Sequence, residues 1–179
     1  MNRSLINAAL LSILLSTPAY AALPVGAKAP DFAAKASLGG KEFDFALADA
    51  LKKGPVVLYF YPAAFTPGCT IEAHEFANAT DKFAALGATV IGVSHDDVAT
   101  LDKFSVSECR NKFAVAADPG GAVIKQYDAV MAKNPAYADR ISYVITPDHA
   151  VIFSLTDKDP YKHVGQTMDA VKAWRAAHP

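Results

Sequence analysis

Cysteine is scarce in this sequence, with two in 179 residues. That excludes a disulfide-knit scaffold and a four-thiolate zinc site, and leaves room for one bridge or one redox pair. An excess of either charge is missing as well. Seventeen Lys and Arg meet eighteen Asp and Glu, a net charge of -1. Such a balance gives no electrostatic footprint for nucleic acid or an anionic membrane surface, so neither is expected as a partner. No apolar run reaches the ~20 residues that a membrane-spanning helix needs. Internal repeats, linkers and low-complexity segments are absent too. What remains is a chain 52% hydrophobic and 20% charged, the composition of a folded soluble protein of one domain.

The amino terminus reads as a leader. Met1-Asn2-Arg3 carries a positive charge, an apolar run covers Leu5–Leu15, and Ser16-Thr17-Pro18-Ala19-Tyr20-Ala21 ends in a small-x-small cleavage pattern. A signal peptide over residues 1–21 is therefore expected, with a single domain over 22–179. Ala22, not cysteine, follows the expected cut, which argues against a lipid anchor. The mature protein is expected outside the cytoplasm, in a periplasm, where disulfides can persist.

Periodicity then predicts an alternating α/β chain. Asp31–Ser37 and Lys41–Ala46 flank Gly39-Gly40, a hairpin signal. Asp49–Lys53 reads as a short helix stopped by Gly54. Pro55–Tyr61 (PVVLYFY) is continuously apolar and rich in β-branched and aromatic residues, as a strand covered on both faces should be. Cys69–Leu86 has Phe76, Thr80, Phe83 and Leu86 at helical spacing, with Gly87 as a stop. Thr89–Ser94 is a second central strand. Asp96–Lys112 is expected as a helix bearing Val98, Leu101, Ser105 and Cys109 on one stripe, with Asp96-Asp97 as its cap. A short strand (Phe113–Ala117), a turn (Asp118–Gly121) and a short helix (Ala122–Tyr127) follow. Ile141–Thr146 and Val151–Leu155 form a terminal hairpin. Asp159-Pro160 opens the last helix, whose apolar face carries Val164, Met168, Val171 and Trp174. The expected fold class is α/β, a mixed sheet with helices on both faces.

The chemistry concentrates in the loop after the first central strand, Pro62-Ala63-Ala64-Phe65-Thr66-Pro67-Gly68-Cys69-Thr70-Ile71-Glu72. It places Cys69 in a first helical turn at the carboxyl end of a buried strand, where α/β sheets bind ligands. Free N–H groups and the positive end of the helix dipole favour a thiolate there. The difference is large, because an ordinary thiol of pKa ~8.5 is only about 3% ionised at neutral pH. Thr66 can aim its hydroxyl at the sulfur or at a bound oxygen. Pro62 and Pro67 stiffen the loop and remove competing donors.

Pro62, Thr66 and Cys69 form a P-x-x-x-T-x-x-C pattern, and with it the sequence resembles the peroxiredoxins, thiol peroxidases of thioredoxin-like fold. YFYPAAFTPGCTIEAHEF is similar to the bacterioferritin-comigratory, or Q-type, branch. The likeness continues through TVIGVS, FAVAADPGG and Arg140-Ile141-Ser142-Tyr143-Val144-Ile145. The resemblance implies a three-layer fold with an N-terminal β-hairpin and no cofactor. It implies that Cys69 is the peroxidatic cysteine, that Thr66 hydrogen-bonds the peroxide and that Pro62 shields the pocket. It further implies that Arg140 stabilises the thiolate and that Glu72 orients the arginine. Two positions depart from the branch. His74 stands where many members carry the resolving cysteine, and Ala63-Ala64-Phe65 replaces a stretch that is commonly charged.

Cys109 lies forty residues after Cys69, toward the end of a predicted helix, where the dipole disfavours a thiolate. The resemblance implies that it resolves a Cys69 sulfenic acid as a disulfide. A lone core thiol or a permanent bridge are the other readings. His74, His95, His149, His163 and His178 show no metal-ligand spacing and are expected at the surface or in structural roles. The expected activity is thiol-dependent reduction of hydrogen peroxide and organic hydroperoxides. Its reductant would be a thioredoxin-like protein or a small thiol, and the chain a monomer or homodimer. Thiol–disulfide exchange with, or peroxide sensing for, a partner protein is the alternative.

Overall fold

The structure is a computed structural model that describes residues 22–178. The expected signal peptide, residues 1–21, lies outside the described residues. In chain order the elements are β1 (Ala33–Leu38), β2 (Lys41–Ala46), α1 (Leu47–Leu51), β3 (Val56–Phe60), α2 (Pro67–Ala85) and β4 (Thr89–Ser94). They continue with α3 (Val98–Ser107), β5 (Ala114–Ala117), α4 (Ala122–Gln126), β6 (Ile141–Ile145), β7 (Val151–Thr156) and α5 (Pro160–Ala177).

One seven-stranded sheet runs in the order β2-β1-β5-β4-β3-β6-β7. The centre, β3-β4-β5, is parallel, while β6 joins β3 antiparallel and β1 joins β5 antiparallel. Strand periodicity explains why the run around β3 is apolar throughout. Val56, Leu58 and Phe60 face one apolar cluster with Leu47 and Leu51 of α1 and with Val123 and Ile124 of α4. Val57, Tyr59 and Tyr61 face the other, with Phe76 and Phe83 of α2, Leu101 and Phe104 of α3, and Val171 of α5. Both faces are covered, so no polar residue is tolerated on either. This is the mixed, helix-flanked sheet that the pattern predicts, hairpin included.

Boundaries differ where partners distant in sequence decide them. Helix α1 begins at Leu47, not Asp49, because Asp31 accepts a hydrogen bond from the Ala48 N–H (3.0 Å) and supplies a cap from another segment. Helix α3 ends at Ser107, not Lys112. Arg110 and Asn111 adopt left-handed backbone conformations (φ 52° and 58°), and the Asn111 N–H closes back on the Ser105 carbonyl at 3.0 Å. Cys109 therefore sits beyond the helix, in a turn. Asp97 caps α3 as expected, accepting from the Thr100 N–H, whereas Asp96 serves the neighbouring loop. On α5, Met168 and Val171 are buried, but Trp174 is only half-buried and stacks on His178.

One close approach in the second layer is set by register. Tyr59 on β3 pairs with Gly92 on β4, and its ring folds over the glycine, stacked between Tyr61 and Phe76. A Cβ on Gly92 would lie 2.7 Å from Tyr59 Cζ, and the buried ring has nowhere to retreat. Gly92→Ala is expected to destabilise the fold by about 1–3 kcal/mol through overpacking. A lower urea midpoint with unchanged slope would register it.

Candidate active site

Strand β3 delivers the chain through Tyr61, whose N–H is held by the Val93 carbonyl, into a loop that turns back as α2. Asp96, after β4, fastens that loop by accepting from the Ala64 N–H (2.8 Å) and the Ser94 hydroxyl (2.7 Å). Phe65 takes a left-handed conformation (φ 62°). Its ring stays half-exposed and meets Phe104 edge-on. A bulky residue with positive φ at a functional loop is strained, and the contacts around it hold the strain in place. Thr66 is the N-cap of α2 and Pro67 its first residue. Cys69 follows in the first turn, 2% exposed and not in a disulfide.

Arg140 reaches this sulfur from the segment before β6. Its Nη2 donates to Cys69 Sγ at 3.4 Å, and its Nη1 donates to Glu72 Oε2. Cys69 and Glu72 are three apart on α2, hence on one face, and a planar guanidinium can span both. Gly68 makes room, since a Cβ there would lie 3.0 Å from Arg140 Nη2. Glu72 is fully buried. Burial pushes its carboxyl up, to about 8, against the opposing pull of Arg140. The cation is thus fixed within reach of the sulfur before any substrate arrives.

Of the sequence-predicted residues, Cys69, Glu72 and Arg140 are in contact, and Pro62 shares a cavity wall with Arg140. Thr66 lies at the same helix start but differs in one respect. Its hydroxyl donates to the Ala63 carbonyl at 3.0 Å, not to the sulfur. The donor is committed, and the lone pairs of Oγ1 remain as acceptors for an incoming O–H. Pro62 and Arg140 also border a cavity of about 320 Å3, completed by Met131, Ala132, Lys133, Asp139 and Lys158. The connection from α4 to β6, for which the sequence suggested no element, supplies much of this wall. A larger cavity near β2, of about 450 Å3 and lined by Phe43, Phe45 and Thr80, includes none of the site residues.

Cys109 is not brought against Cys69. It is fully buried and unbridged, though both cysteines belong to the same apolar cluster. Tyr59 and Tyr61 lie within electrostatic range of both. Its thiol is pushed far up, first by burial and then by Glu108. Burial, not a helix dipole, therefore keeps Cys109 protonated. No disulfide joins the two cysteines in this structure.

His163 is the residue that sequence reasoning set aside. It is fully buried, with Nδ1 2.8 Å from Ser142 Oγ and 3.7 Å from Glu72 Oε1. Its place on α5, four residues before the buried Thr167, was a signal for its burial though not for its partners. Among the described residues no group of three or more His, Cys, Asp or Glu is placed to hold a metal ion.

Comparison with known proteins agrees with this geometry. Residues 25–154 match the AhpC/TSA family. Peroxiredoxin Q of rice (Oryza sativa subsp. japonica), described as chloroplastic, is 32% identical over 176 residues, covering 92% of this chain and 81% of its own. The peroxiredoxin Q of Arabidopsis thaliana is 35% identical over 155 residues, 86% and 69% of the two chains. Among solved structures, the peroxidoxin BcpB of Mycobacterium tuberculosis superposes with a TM-score of 0.76 at 29% identity, over 83% of this chain and 96% of that one. A helix-start cysteine under an arginine, on this sheet and with these relatives, leaves one assignment: the chain belongs to the AhpC/TSA family as a peroxiredoxin of the Q or bcp kind, a thiol-dependent peroxidase of thioredoxin-like fold.

Proposed function

We propose that this peroxidase works through a Cys69 sulfenic acid that Cys109 resolves. The observation that carries the reading is the Arg140–Cys69 contact at the start of α2. The Cys69 thiolate attacks one oxygen of a hydroperoxide in line, an S–O bond forms and the O–O bond breaks. The sulfur becomes a sulfenic acid, and the departing oxygen takes up a proton as water or alcohol. Negative charge moves from sulfur to that oxygen, and a donor already fixed at the site need not reorganise to meet it. Arg140 is such a donor. Thr66 Oγ1 accepts the peroxide hydrogen, and Pro62 screens the sulfur from water.

The cavity beside Pro62 and Arg140 gives a substrate tail somewhere to lie. Met131, Ala132 and Pro62 supply apolar wall, so organic hydroperoxides join hydrogen peroxide as substrates. Resolution follows when the Cys109 thiol condenses with the sulfenic acid, releasing water and leaving a Cys69–Cys109 disulfide. A thioredoxin-type protein or a small dithiol then supplies two electrons and two protons to restore both thiols. The leader pattern at residues 1–21 supports an exported, periplasmic protein, and hence an exported electron donor.

The two thiols are buried and unbridged, so the Cys109 turn must open for them to join. Its left-handed Arg110 and Asn111 favour release. Side-chain contacts to α2 oppose it: Glu108 to His74 at 2.8 Å, Arg110 to Asn78 at 2.8 Å and Lys112 to Asp81 at 2.9 Å.

Cys69→Ser is expected to abolish peroxide consumption with the fold intact, because serine keeps the size and loses the ionisable sulfur. Coupled turnover with hydrogen peroxide and a generic dithiol measures it, and near-normal turnover would remove Cys69 from the chemistry. Arg140→Ala is expected to lower the second-order rate with peroxide at least ~100-fold. A stopped-flow rate equal to wild type would contradict the role. Cys109→Ser is expected to react with its first peroxide at nearly the wild-type rate, then to gain ~16 mass units as sulfenic acid, where wild type loses about two as the disulfide. An intermolecular disulfide as the main wild-type product would return Cys109 to a packing role.

A further inference from the structure

Arg140 carries one positive charge and faces two groups that can each carry a negative one, Cys69 and Glu72. With both ionised, the buried cluster would hold a net negative charge, which a water-poor interior opposes. Behind Glu72 the geometry shows where a compensating proton fits. Oε2 receives the Arg140 hydrogen, but Oε1 is buried without a hydrogen-bond partner. His163 Nδ1 lies 3.7 Å from it. The other ring nitrogen, Nε2, is 2.9 Å from the Asp157 carbonyl, which can only accept, so Nε2 carries a hydrogen. In the neutral ring Nδ1 is then an acceptor, and the Ser142 hydroxyl, 2.8 Å away, donates to it. Nδ1 thus has its hydrogen from Ser142, whereas Oε1, facing it across 3.7 Å, has none. A proton on Oε1 supplies the missing hydrogen and removes the carboxylate charge.

We propose that Glu72 and His163 jointly hold one proton whenever Cys69 is a thiolate, so that His163 is a positioning residue keeping the charge of Arg140 for the sulfur. This rests on the reading of Cys69 as a thiolate nucleophile. Every neighbouring element bears on the pair. Cys69 lies on α2 itself, and Arg140, at the head of β6, draws Glu72 toward the carboxylate. Arg140 also disfavours a charged His163, whereas Asp157 and Asp159, ahead of α5, favour one. Tyr59 on β3 stays neutral in its buried position. Burial itself acts oppositely on the two members, raising Glu72 and lowering His163. The proton accordingly rests on the carboxyl side, facing the ring across 3.7 Å. Oxidation of Cys69 removes the thiolate charge, Arg140 turns wholly to Glu72, and the pair gives the proton up.

The test reads the proton, not turnover. Nitrogen-15 NMR of the histidine rings across a pH titration should compare the reduced wild type with Cys69→Ser. The His163 signals should change about one pH unit or more higher in the wild type, where the thiolate charge holds the proton in place. Coincident titrations would overturn the proposal. Independently, His163→Leu should raise the midpoint of the thiolate absorbance by about one pH unit or more. Adding Glu72→Gln to His163→Leu, which places a neutral amide where the protonated carboxyl stood, should bring the midpoint back toward wild type. An unmoved midpoint in the single variant, or no return in the double, would overturn it. A structural role alone predicts no such return. The NMR comparison leaves His163 in place and so stands even where His163→Leu folds poorly. Should the protein fail to consume peroxide while His163 still titrates with Cys69, the peroxidase reading fails and this one holds.

Discussion

Everything at this site depends on one guanidinium held between a thiol and a carboxylate. Arg140 is nine-tenths buried and touches Cys69 with one arm and Glu72 with the other. A buried ion pair is poor support for stability, because desolvation offsets most of the attraction. Apolar residues in place of Glu72 and Arg140 would serve the core as well or better. The pair makes sense as orientation. Glu72 fixes the fork, and the second arm then points at the sulfur without further ordering. Gly68 exists for the same reason, leaving the guanidinium room beside the helix start.

The surrounding core explains how such a cluster is tolerated. Tyr59, Tyr61, Phe76 and Phe104 form a continuous aromatic layer beneath α2 and α3. The layer excludes water from behind the cysteine, which strengthens the Arg140 contact and raises the cost of unpaired charge together. A site built this way must be nearly neutral in total. It cannot accumulate anions, so whatever ionises next to Arg140 competes for the same cation. Glu72 is the standing competitor, and its upward displacement comes from burial, against the pull of Arg140.

Much of this was legible in the chain and some was not, for identifiable reasons. The continuous run Val56–Phe60 marked a doubly covered strand because both of its faces meet helices. The P-x-x-x-T-x-x-C spacing placed Cys69 at a helix start because a strand, a tight loop and a helix start are all local in sequence. Arg140 became visible only through resemblance, since nothing around an isolated arginine at a strand start points to a cysteine seventy-one residues away. The partners of His163 were invisible for the same reason in stronger form. They come from α2, β6 and the connection before α5, and no spacing within α5 records them. The start of α1 followed from Asp31, likewise outside the element. The true end of α3 was set by two left-handed residues, one of them an arginine, which no propensity favours.

That misplaced helix end changes how Cys109 is understood. Cys109 follows the C-cap Glu108 directly, and its burial is the larger reason for its protonation. The turn that carries it is under opposing pressures of similar size. Left-handed Arg110 costs about 1 kcal/mol or more, and Asn111 less, because asparagine tolerates that region. The contacts to His74, Asn78 and Asp81 are partly exposed and contribute at most about 1 kcal/mol each. Those terms nearly cancel. What keeps the turn shut is the burial of Cys109 and Phe113 in the aromatic layer, on the order of 1.5–3 kcal/mol for each side chain fully buried. Opening of a few kcal/mol is a rare but accessible local event. Under the proposed mechanism its frequency, more than the reactivity of the thiol, sets how long a sulfenic acid on Cys69 waits, because a neutral thiol inside the core meets it only when the turn lets go. Where the turn is stapled by more than its burial, the wait lengthens and a second peroxide gains time to react. Under the proposed mechanism, resolution is therefore governed by packing energy in a six-residue turn, and peroxide attack by the charge of one arginine.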